Sequence, residues 1–388
     1  MHPTAPHGGP RRRGRAPTAV HDHRSWSIRS AEWSLRSTTG GHRGSRAVTV
    51  LLVALAIVLS GCSSVPVDRP PVQPAASPAG VTLVVGDQKG GSRSLLRAAE
   101  LLDDVPYRIE LRTFTAGPPL IEAARAGAID VGGTGNTPAI FAAAARARVQ
   151  VVSANRGNVT SDAILVRRDS PIRSVADLRG TRIAVGKGTS AHGQLLSTLR
   201  AAGMTLDDVD LTFLAPADAY GAFRQGDVDA WAVWDPYTSQ AELDDGARIV
   251  ADGTGTANGY GFQVASNATL ADPARSAALA DFLARLAAAQ VYSDTHREQR
   301  ARVWSEETTI PLPITRRAVA RGTDLPVPLD DTVVASQQAL ADAFSEAGVI
   351  PGRADIGAFV DRRFEATTLA AARDGIPGTP TDRRTGAR

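Results

Sequence analysis

Short runs rich in Val and Ile alternate with longer stretches rich in Ala and Leu from residue 81 onward. The short runs are typical of buried strands, and the longer stretches carry apolar residues at helical spacing. In the first part of this region the pattern predicts strands over 81–85, 107–112, 129–133, 149–154 and 163–168, with helices over 92–102, 118–126 and 137–147. Such alternation indicates an α/β fold built on a parallel sheet.

A second series of the same kind begins at Ser174, where Ser174, Asp177 and Gly180 predict a capped helical turn. It comprises strands over 181–185, 209–214, 230–234 and 247–252, a return strand over 261–266, helices over 190–202 and 216–225, and a long helix from Asp272 to about residue 292. Two similar series predict two lobes with a ligand cleft between them, where strands end and helices begin. The corresponding boundaries are 81–167 for the first part of lobe 1, 168–262 for lobe 2, 263–365 for the second part of lobe 1 with the C-terminal helices, and 366–388 for a flexible tail.

The region before residue 81 has the features of an export signal. Arg43 and Arg46 precede the apolar run Ala47–Leu59, and Leu59-Ser60-Gly61-Cys62 follows it. The run is short for a permanent membrane span, and its charged flank and small-residue end are typical of a cleaved signal. The LSGC ending resembles a bacterial lipobox and predicts lipidation at Cys62, the only cysteine of the chain. An ordinary signal peptide with an incidental cysteine is the alternative.

This interpretation divides the first 80 residues into an N-terminal extension with a lipoprotein signal peptide (1–61) and a Pro- and Ala-rich tether (62–80). Residues 1–40 are aperiodic and unlike a signal, so they are either disordered or upstream of the true start. The extension also explains the high isoelectric point of 9.3. It holds nine Arg, which leaves 34 basic against 38 acidic residues in the rest of the chain, so no nucleic-acid partner is expected.

One glycine-rich corner, Gly186–Leu196 (GKGTSAHGQLL), follows a predicted strand and opens a helix. It is not a nucleotide-binding P-loop, because five residues separate Gly180 from Gly186 and Gly188 follows the lysine where Ser or Thr is required. A helix N-terminus with free N–H groups can nevertheless bind an anion. The alternative is that Thr189 or Ser190 only caps the helix.

Other predicted strands end in similar corners. These are Asp87–Gly91, Ala116–Pro119, Gly133–Pro138 and Trp234–Tyr237. Each can be explained as ordinary turn chemistry. Their shared position at carboxyl ends of strands favours one common anion site. No nucleotide, metal or other cofactor motif is present among them.

Several of these motifs occur in the order and spacing of a known family. They are GDQKGGSRSLL, FTAGPPLIEA, IDVGGTGNTPAIFA, ILVRRDSPIRSVADLRG, IAVGKGTSAHGQLL, DAWAVWDPY and VADGTG, within Val81–Phe364. The chain thereby resembles the aliphatic sulfonate-binding proteins of ABC transporters, which share the type II periplasmic-binding fold with nitrate-, taurine- and pyrimidine-precursor-binding proteins. The resemblance implies a two-lobed receptor that closes on its ligand and delivers it to a permease. Together with the predicted lipidation of Cys62, it predicts a monomer anchored to the outer face of the cytoplasmic membrane.

The resemblance also implies a set of ligand-binding residues. Those of lobe 1 and the hinge are Gln88, Gly117, Thr134, Gly135, Asn136 and Tyr260, and those of lobe 2 are Thr189, Ser190, Ala191, His192, Trp234 and Asp235. Trp234 is expected against the organic tail, and the anion at the helix that begins near Ser190. The hinge crossings are expected near 166–170 and 258–263.

Neutral donors suit a sulfonate, which is a monoanion with no proton to give, whereas a phosphate dianion would call for an Arg that these corners lack. Asn136 stands where the family often has Asp, so a ligand with an uncharged or apolar tail is expected in preference to taurine. Nitrate, taurine and a thiamine-pyrimidine precursor remain alternative ligands. A desulfinase-like enzyme of the same fold uses a cysteine in the cleft, and Cys62 lies on the wrong side of the tether for that role, so no catalysis is expected.

Overall fold

The computed structural model describes residues 77–322 and 324–383. The predicted extension, the signal peptide, the lipidation site at Cys62 and most of the tether lie outside the described residues, as do residues 384–388. Among the described helices, none is both long and apolar enough to cross a membrane.

The strands in chain order are β1 (Thr82–Asp87), β2 (Arg108–Thr113), β3 (Val131–Gly135), β4 (Val149–Arg156), β5 (Ala163–Val166), β6 (Arg182–Val185), β7 (Asp210–Phe213), β8 (Ala230–Val233), β9 (Arg248–Asp252), β10 (Tyr260–Ser266) and β11 (Leu325–Val327). The helices are α1 (Ser92–Ala98), α2 (Gly117–Arg125), α3 (Asn136–Ala144), α4 (Ser190–Ala201), α5 (Pro216–Gln225), α6 (Tyr237–Asp244), α7 (Asn267–Ala271), α8 (Pro273–Thr295), α9 (Arg297–Thr308), α10 (Leu312–Ala320), α11 (Asp331–Glu346) and α12 (Glu365–Asp374). Short 3-10 turns occupy Val175–Leu178, Leu206–Asp208 and Gly357–Phe359.

Within the described residues the strands form two sheets, one in each lobe. The first has the order β11-β4-β10-β3-β1-β2 and the second β7-β6-β8-β5-β9. β5 and β8 are buried at every residue, as expected for strands whose sheet carries helices on both faces. The predicted two-lobed α/β fold is confirmed.

The expectation of purely parallel sheets is wrong. β1, β2 and β3 are parallel, as are β6, β7 and β8. β10 runs antiparallel to β3 and β4, and β5 runs antiparallel to β8 and β9. Two of the reversed strands, β5 and β10, follow the passages between the lobes, and the edge strand β11 also runs antiparallel to β4.

The structure places the passages between the lobes earlier than the sequence predicts. The chain leaves the first sheet after β4 and enters the second at β5, across residues 157–162, and it returns across 253–259. The predicted boundaries after 167 and 262, and the predicted first hinge at 166–170, therefore require correction. The error has a physical cause: the apolar run of β5 is buried in either sheet, so its pattern does not reveal its partners.

The predicted flexible tail also requires correction for its described part. Residues 365–374 form α12, which packs along α8 and buries Thr368 and Ala371. The sequence of this segment is mostly polar and only one narrow face of the helix is buried, so the hydrophobic pattern does not predict a packed helix. The sequence also missed α6 and the edge strand β11, since α6 shows little amphipathic pattern and β11 is short and contains Pro326.

Candidate functional site

A cavity of about 310 Å³ lies between the lobes, near the carboxyl ends of β1, β3, β4 and β8. Ten of the twelve predicted ligand-binding residues line it: Gln88, Gly117, Thr134, Gly135, Asn136, Thr189, Ser190, Trp234, Asp235 and Tyr260. The strand-end corners of both lobes therefore meet at one place, as the sequence predicts. Their role in binding a ligand stays a prediction.

The N-termini of α2, α3 and α4 open onto this cavity. None of the three helices has a side-chain hydrogen bond from its N-cap residue. The N–H groups of a first turn have no partner within their own helix and carry the positive end of its dipole. The first residues of these helices line the cavity, so their backbone can supply neutral donors to it.

Two glycines allow these helix ends to come close together. A Cβ on Gly135 would lie 2.9 Å from Cβ of Ser190, and one on Gly117 would lie 2.2 Å from Oγ1 of Thr134. Real Cβ atoms do not approach other atoms so closely, so a side chain at either position would push the elements apart. Gly135 belongs to lobe 1 and Ser190 to lobe 2, and the first turns of α3 and α4 therefore face the same space.

The hydroxyl groups at the start of α4 do not cap the helix. Thr189 donates its hydroxyl to the carbonyl of Gly186 at 2.7 Å, and Ser190 donates to Oδ1 of Asp162 at 3.2 Å. The interpretation that Thr189 or Ser190 only caps α4 is therefore wrong. Neither hydroxyl therefore satisfies a first-turn N–H group of α4.

Ala191 and His192 do not line the cavity, and their predicted place in it requires correction. The Ala191 side chain lies in the apolar core of lobe 2. The His192 side chain is fully buried, and its ring centroid lies 5.2 Å from that of Phe344 and 5.5 Å from that of Phe213. Successive residues of a helix face different directions, so Ala191 and His192 face the core and the aromatic cluster while Ser190 lines the cavity.

The surroundings of His192 hold its imidazole neutral. Its Nδ1 accepts the backbone N–H of Gly188 at 3.2 Å, and its own backbone N–H goes to the carbonyl of Thr189. Burial, with a smaller contribution from the charge of Lys187, lowers the pKa of His192 to about 4. Lys187 itself lies with Nζ 5.5 Å from the centre of the Phe213 ring and does not line the cavity.

Gln88 and Asn136 take part in the hydrogen-bonding frame of the cavity wall. Gln88 donates from Nε2 to the carbonyl of Gly133 at 3.0 Å. Asn136 donates from Nδ2 to Asn258 at 2.7 Å, and its Oδ1 accepts the Thr137 hydroxyl at 2.9 Å. The Asn136 amide is thus occupied by α3 and the second crossing, so its identity says little about a ligand tail.

On the opposite wall, Asp235 takes part in an ionic contact between the lobes. Its carboxylate accepts Arg321, which follows α10, at 2.9 Å, and it also accepts the hydroxyl of Ser239 at 2.6 Å. Arg321 also pairs with Glu242 of α6. Asp235 therefore lines the cavity with its charge already neutralised, whereas the half-buried ring of Trp234 remains available for apolar contact.

The sequence missed several polar residues of the cavity. Four residues that line it each have a buried side-chain atom with no hydrogen-bond partner among the described residues: Thr134 Oγ1, Asn155 Oδ1, Gln263 Oε1 and Trp304 Nε1. Asp162, Arg300 and Asp324 line it as well. Except for Thr134, these residues come from strand interiors, a crossing, the helix α9 and a loop, where nothing in their local sequence distinguishes them.

Arg300 lies beside the cavity, although the strand-end corners predicted from the sequence contain no Arg. It is buried beside the cavity, donates to the Ser94 hydroxyl at 2.6 Å and also bonds to the carbonyl of Gly90. Burial lowers the pKa of Arg300 to about 10, and the charges of Asp87 and Glu307 are the first to oppose that shift. Its charge is balanced within the protein and is not free for a dianion. Across the described residues, His, Cys, Asp and Glu form no group able to hold a metal ion.

Comparison with known proteins identifies the family of the chain. Residues 97–306 match the family described as ABC transporter, phosphonate, periplasmic substrate-binding protein. An Escherichia coli protein named for binding aliphatic sulfonates is 36% identical over 286 residues, which covers 73% of this chain and 89% of the relative.

Solved structures show the same relationship. The alkanesulfonate-binding protein SsuA from Xanthomonas axonopodis pv. citri, bound to MOPS, is 35% identical with a TM-score of 0.69, covering 74% of this chain and all of that one. The desulfurization enzyme DszB is 18% identical with a TM-score of 0.55, covering 74% of this chain and 98% of the enzyme. At that identity the enzyme shares the fold alone.

The two sheets, the two crossings and the cavity between them define a two-lobed solute-binding protein. The chain belongs to the periplasmic substrate-binding proteins of ABC transporters, in the family of the aliphatic sulfonate-binding proteins. The resemblance noted from the motifs is therefore confirmed.

Proposed function

We propose that this protein captures an aliphatic sulfonate between its lobes and delivers it to an ABC permease. The observation that carries the proposal is the convergence of the uncapped first turns of α3 and α4, one from each lobe, on a single cavity. The unpartnered hydroxyl of Thr134 adds a donor on the same side. Because the donors come from both lobes, an anion bound by all of them favours the closed arrangement.

The donor chemistry suits a sulfonate monoanion better than a phosphonate or phosphate dianion. Each charge-assisted hydrogen bond contributes ~1.5–3 kcal/mol, and a helix N-terminus adds ~0.3–2 kcal/mol. The two arginines of the cavity, Arg300 and Arg321, are engaged by protein groups. A dianion would have to draw one of them away from its partners.

The proposal extends to the rest of the chain. Cys62 carries the lipid, residues 62–80 serve as the tether, and the receptor acts as a monomer on the outer face of the cytoplasmic membrane. The LSGC motif supports the anchor, and the periplasmic family supports the location.

We assign no reaction to this cavity. The desulfinase alternative requires a cysteine nucleophile, and the only cysteine of the sequence is Cys62, before the tether. The expectation that the protein is not an enzyme stays a prediction.

A thermal-shift panel tests the ligand class, because a ligand that binds only the folded protein raises the melting temperature. The panel contains butanesulfonate, taurine, butylphosphonate, nitrate and a thiamine-pyrimidine precursor, each at the same excess. We expect the largest shift from a sulfonate. A larger shift from nitrate or the pyrimidine, with none from either sulfonate, would contradict the proposal.

A further inference from the structure

One side of the cavity offers hydrogen-bond acceptors that an anion cannot use. The carboxylates of Asp162 and Asp324 line it, together with the side-chain oxygens of Asn155 and Gln263. Asn155 and Gln263 are only 7% and 5% exposed, and these oxygens have no partner among the described residues. Buried acceptors of this kind are costly unless a donor reaches them.

The acceptors lie close to the anion-binding helix end. Asp162 accepts the hydroxyl of Ser190, the first residue of α4, at 3.2 Å. Asp324 lies over Gly157, where a Cβ would be 1.7 Å from its Oδ1, and Gly157 is just two residues beyond Asn155 along the chain. Asp162 therefore lies at the start of α4, and Asp324 packs against the beginning of the crossing that carries Asp162.

Among the described residues, the charges that act on Asp162 are those of other carboxylates. Asp324 and Asp235 both act on it as like charges, and the second is already paired with Arg321 at 2.9 Å. Arg300 acts on Asp324 as an opposite charge. Burial, opposed by the Ser190 hydrogen bond and reinforced by the two carboxylates, raises the pKa of Asp162 to about 7.

An ionised Asp162 has opposite effects on sulfonates that carry an ammonium group and on sulfonates that do not. When ionised, Asp162 repels a ligand that carries only an anion at the start of α4. A ligand with an ammonium group a few atoms from its sulfonate turns that repulsion into a charge-assisted hydrogen bond. The ammonium also has enough N–H donors to reach a neighbouring amide oxygen.

Building on the proposed function, we propose that the protein selects zwitterionic sulfonates, with the sulfonate at the first turns of α3 and α4 and the ammonium at Asp162, Asp324 and the adjacent amide oxygens. This proposal replaces the expectation of an uncharged tail, which rested on Asn136. The amide of that residue is already bonded to Asn258 and Thr137.

Calorimetric titration with matched ligands tests the proposal. The pairs are taurine with propanesulfonate and 3-aminopropanesulfonate with butanesulfonate, since each pair differs only by an ammonium in place of a methyl group. We expect at least one amino member to bind about tenfold more tightly than its partner at pH 8. Equal or weaker binding of both amino members would overturn the proposal.

Titrations of substituted proteins and at different pH values test whether Asp162 causes the preference for the amino member of each pair. Asp162→Asn should remove the advantage of the amino member, while the matched change Asp169→Asn, at an exposed position, should leave it intact. From pH 6 to pH 8 the wild type should bind the amino member more tightly and the alkyl member more weakly, because Asp162 ionises over this range while the ligand amine stays largely protonated. The variant should show neither trend.

Two further results are informative. Tighter binding of sulfoacetate, which carries a carboxylate, would overturn the proposal and point to Arg300 as the tail contact. Binding of none of these sulfonates would contradict the proposed function as well as the present proposal.

Discussion

Ser190, the first residue of α4, lines the cavity and carries two donors, its backbone N–H and its side-chain hydroxyl. The hydroxyl is already donated to Asp162, so the N–H is the group that a ligand oxygen would use. The two donors can be separated by substitution, because Thr189 has the extended backbone (φ −87°, ψ 167°) that a following proline requires.

The change Ser190→Pro should therefore abolish most of the affinity while the fold survives, since proline is well accepted in the first position of a helix. Loss of one charge-assisted hydrogen bond, about 1.5–3 kcal/mol, corresponds to a loss of affinity of about tenfold or more for butanesulfonate. Titration calorimetry measures it, with the melting temperature as a check on folding. The control is Ser190→Ala, which keeps the N–H and should bind much more tightly than the proline variant; equal weakening in both variants would contradict the assigned role of the N–H.

A second prediction at this scale concerns the buried imidazole of His192. Its pKa of about 4 lies below the ordinary value of 6.5, so acid protonates the unfolded chain first. The stability that this residue contributes at neutral pH is therefore lost as the pH falls from about 6.5 toward 4. We expect a loss of about 2–3 kcal/mol in the free energy of unfolding.

Urea denaturation at pH 7 and pH 4.5 checks this expectation, with His192→Asn as the comparison. Asparagine retains an acceptor for the Gly188 N–H but does not titrate, so the variant should be less stable at pH 7 and lose less stability in acid. An identical pH dependence in both proteins would show that His192 is not the group responsible.

The sequence predicts some residues of the cavity but not others. Strand-end corners identified Gln88, Thr134 and Ser190 correctly as cavity residues, because backbone position alone brings them there. Asp162 was missed, since it lies in a crossing whose path depends on how two lobes pack. Its neighbours along the chain carry no sign of the carboxylates that surround it.

At the scale of elements, two contacts join the lobes on either side of the cavity. α4 packs against α3 and α11 through an apolar cluster that contains His192, Phe141 and Phe344. On the other side, Arg317 and Arg321, at the end of α10, pair with α6 through Glu242. The second contact is ionic and can be weakened without altering the core.

We expect Arg321→Met to shift the ligand-free protein toward a more open form. The substitution leaves the buried carboxylates of Asp235 and Glu242 with less compensation, which favours their exposure to water. Small-angle X-ray scattering should show a larger radius of gyration than in the wild type, with saturating butanesulfonate restoring the smaller value.

The matched control for this variant is Arg316→Met on the same helix. Arg316 pairs with Glu298 of α9, within lobe 1, at 2.5 Å. The control should scatter like the wild type. Similar curves for all three proteins would show that the contact between α10 and α6 does not hold the lobes together.

Most elements were predictable because strands and helices of an α/β fold have distinct periodicities, and the predicted start of α5 at Pro216 agrees with the structure. The helix α12 was not predictable from the sequence, because its burial depends on α8, which lies far away in the sequence. Strand direction was not predictable either. The pattern of β10 is the same whether it runs parallel or antiparallel to β3.

At the scale of the whole molecule, the two lobes each supply half of the anion site. Neither α3 nor α4 alone surrounds a ligand, and the cavity exists only where the two sheets face each other. This division explains why binding and closure should be linked: a sulfonate gains its full set of donors only when both first turns are in reach.

The central claim is that the cavity recognises a sulfonate through neutral donors. Calorimetric titration of the purified protein at pH 8 with butanesulfonate and with butylphosphonate tests it, because the two ligands share the same alkyl chain and only the phosphonate has a second acidic oxygen, whose ionisation adds negative charge at this pH. We predict saturable one-to-one binding of butanesulfonate that is at least about tenfold tighter than that of butylphosphonate. Tighter binding of the phosphonate, or no binding of the sulfonate, would contradict the account.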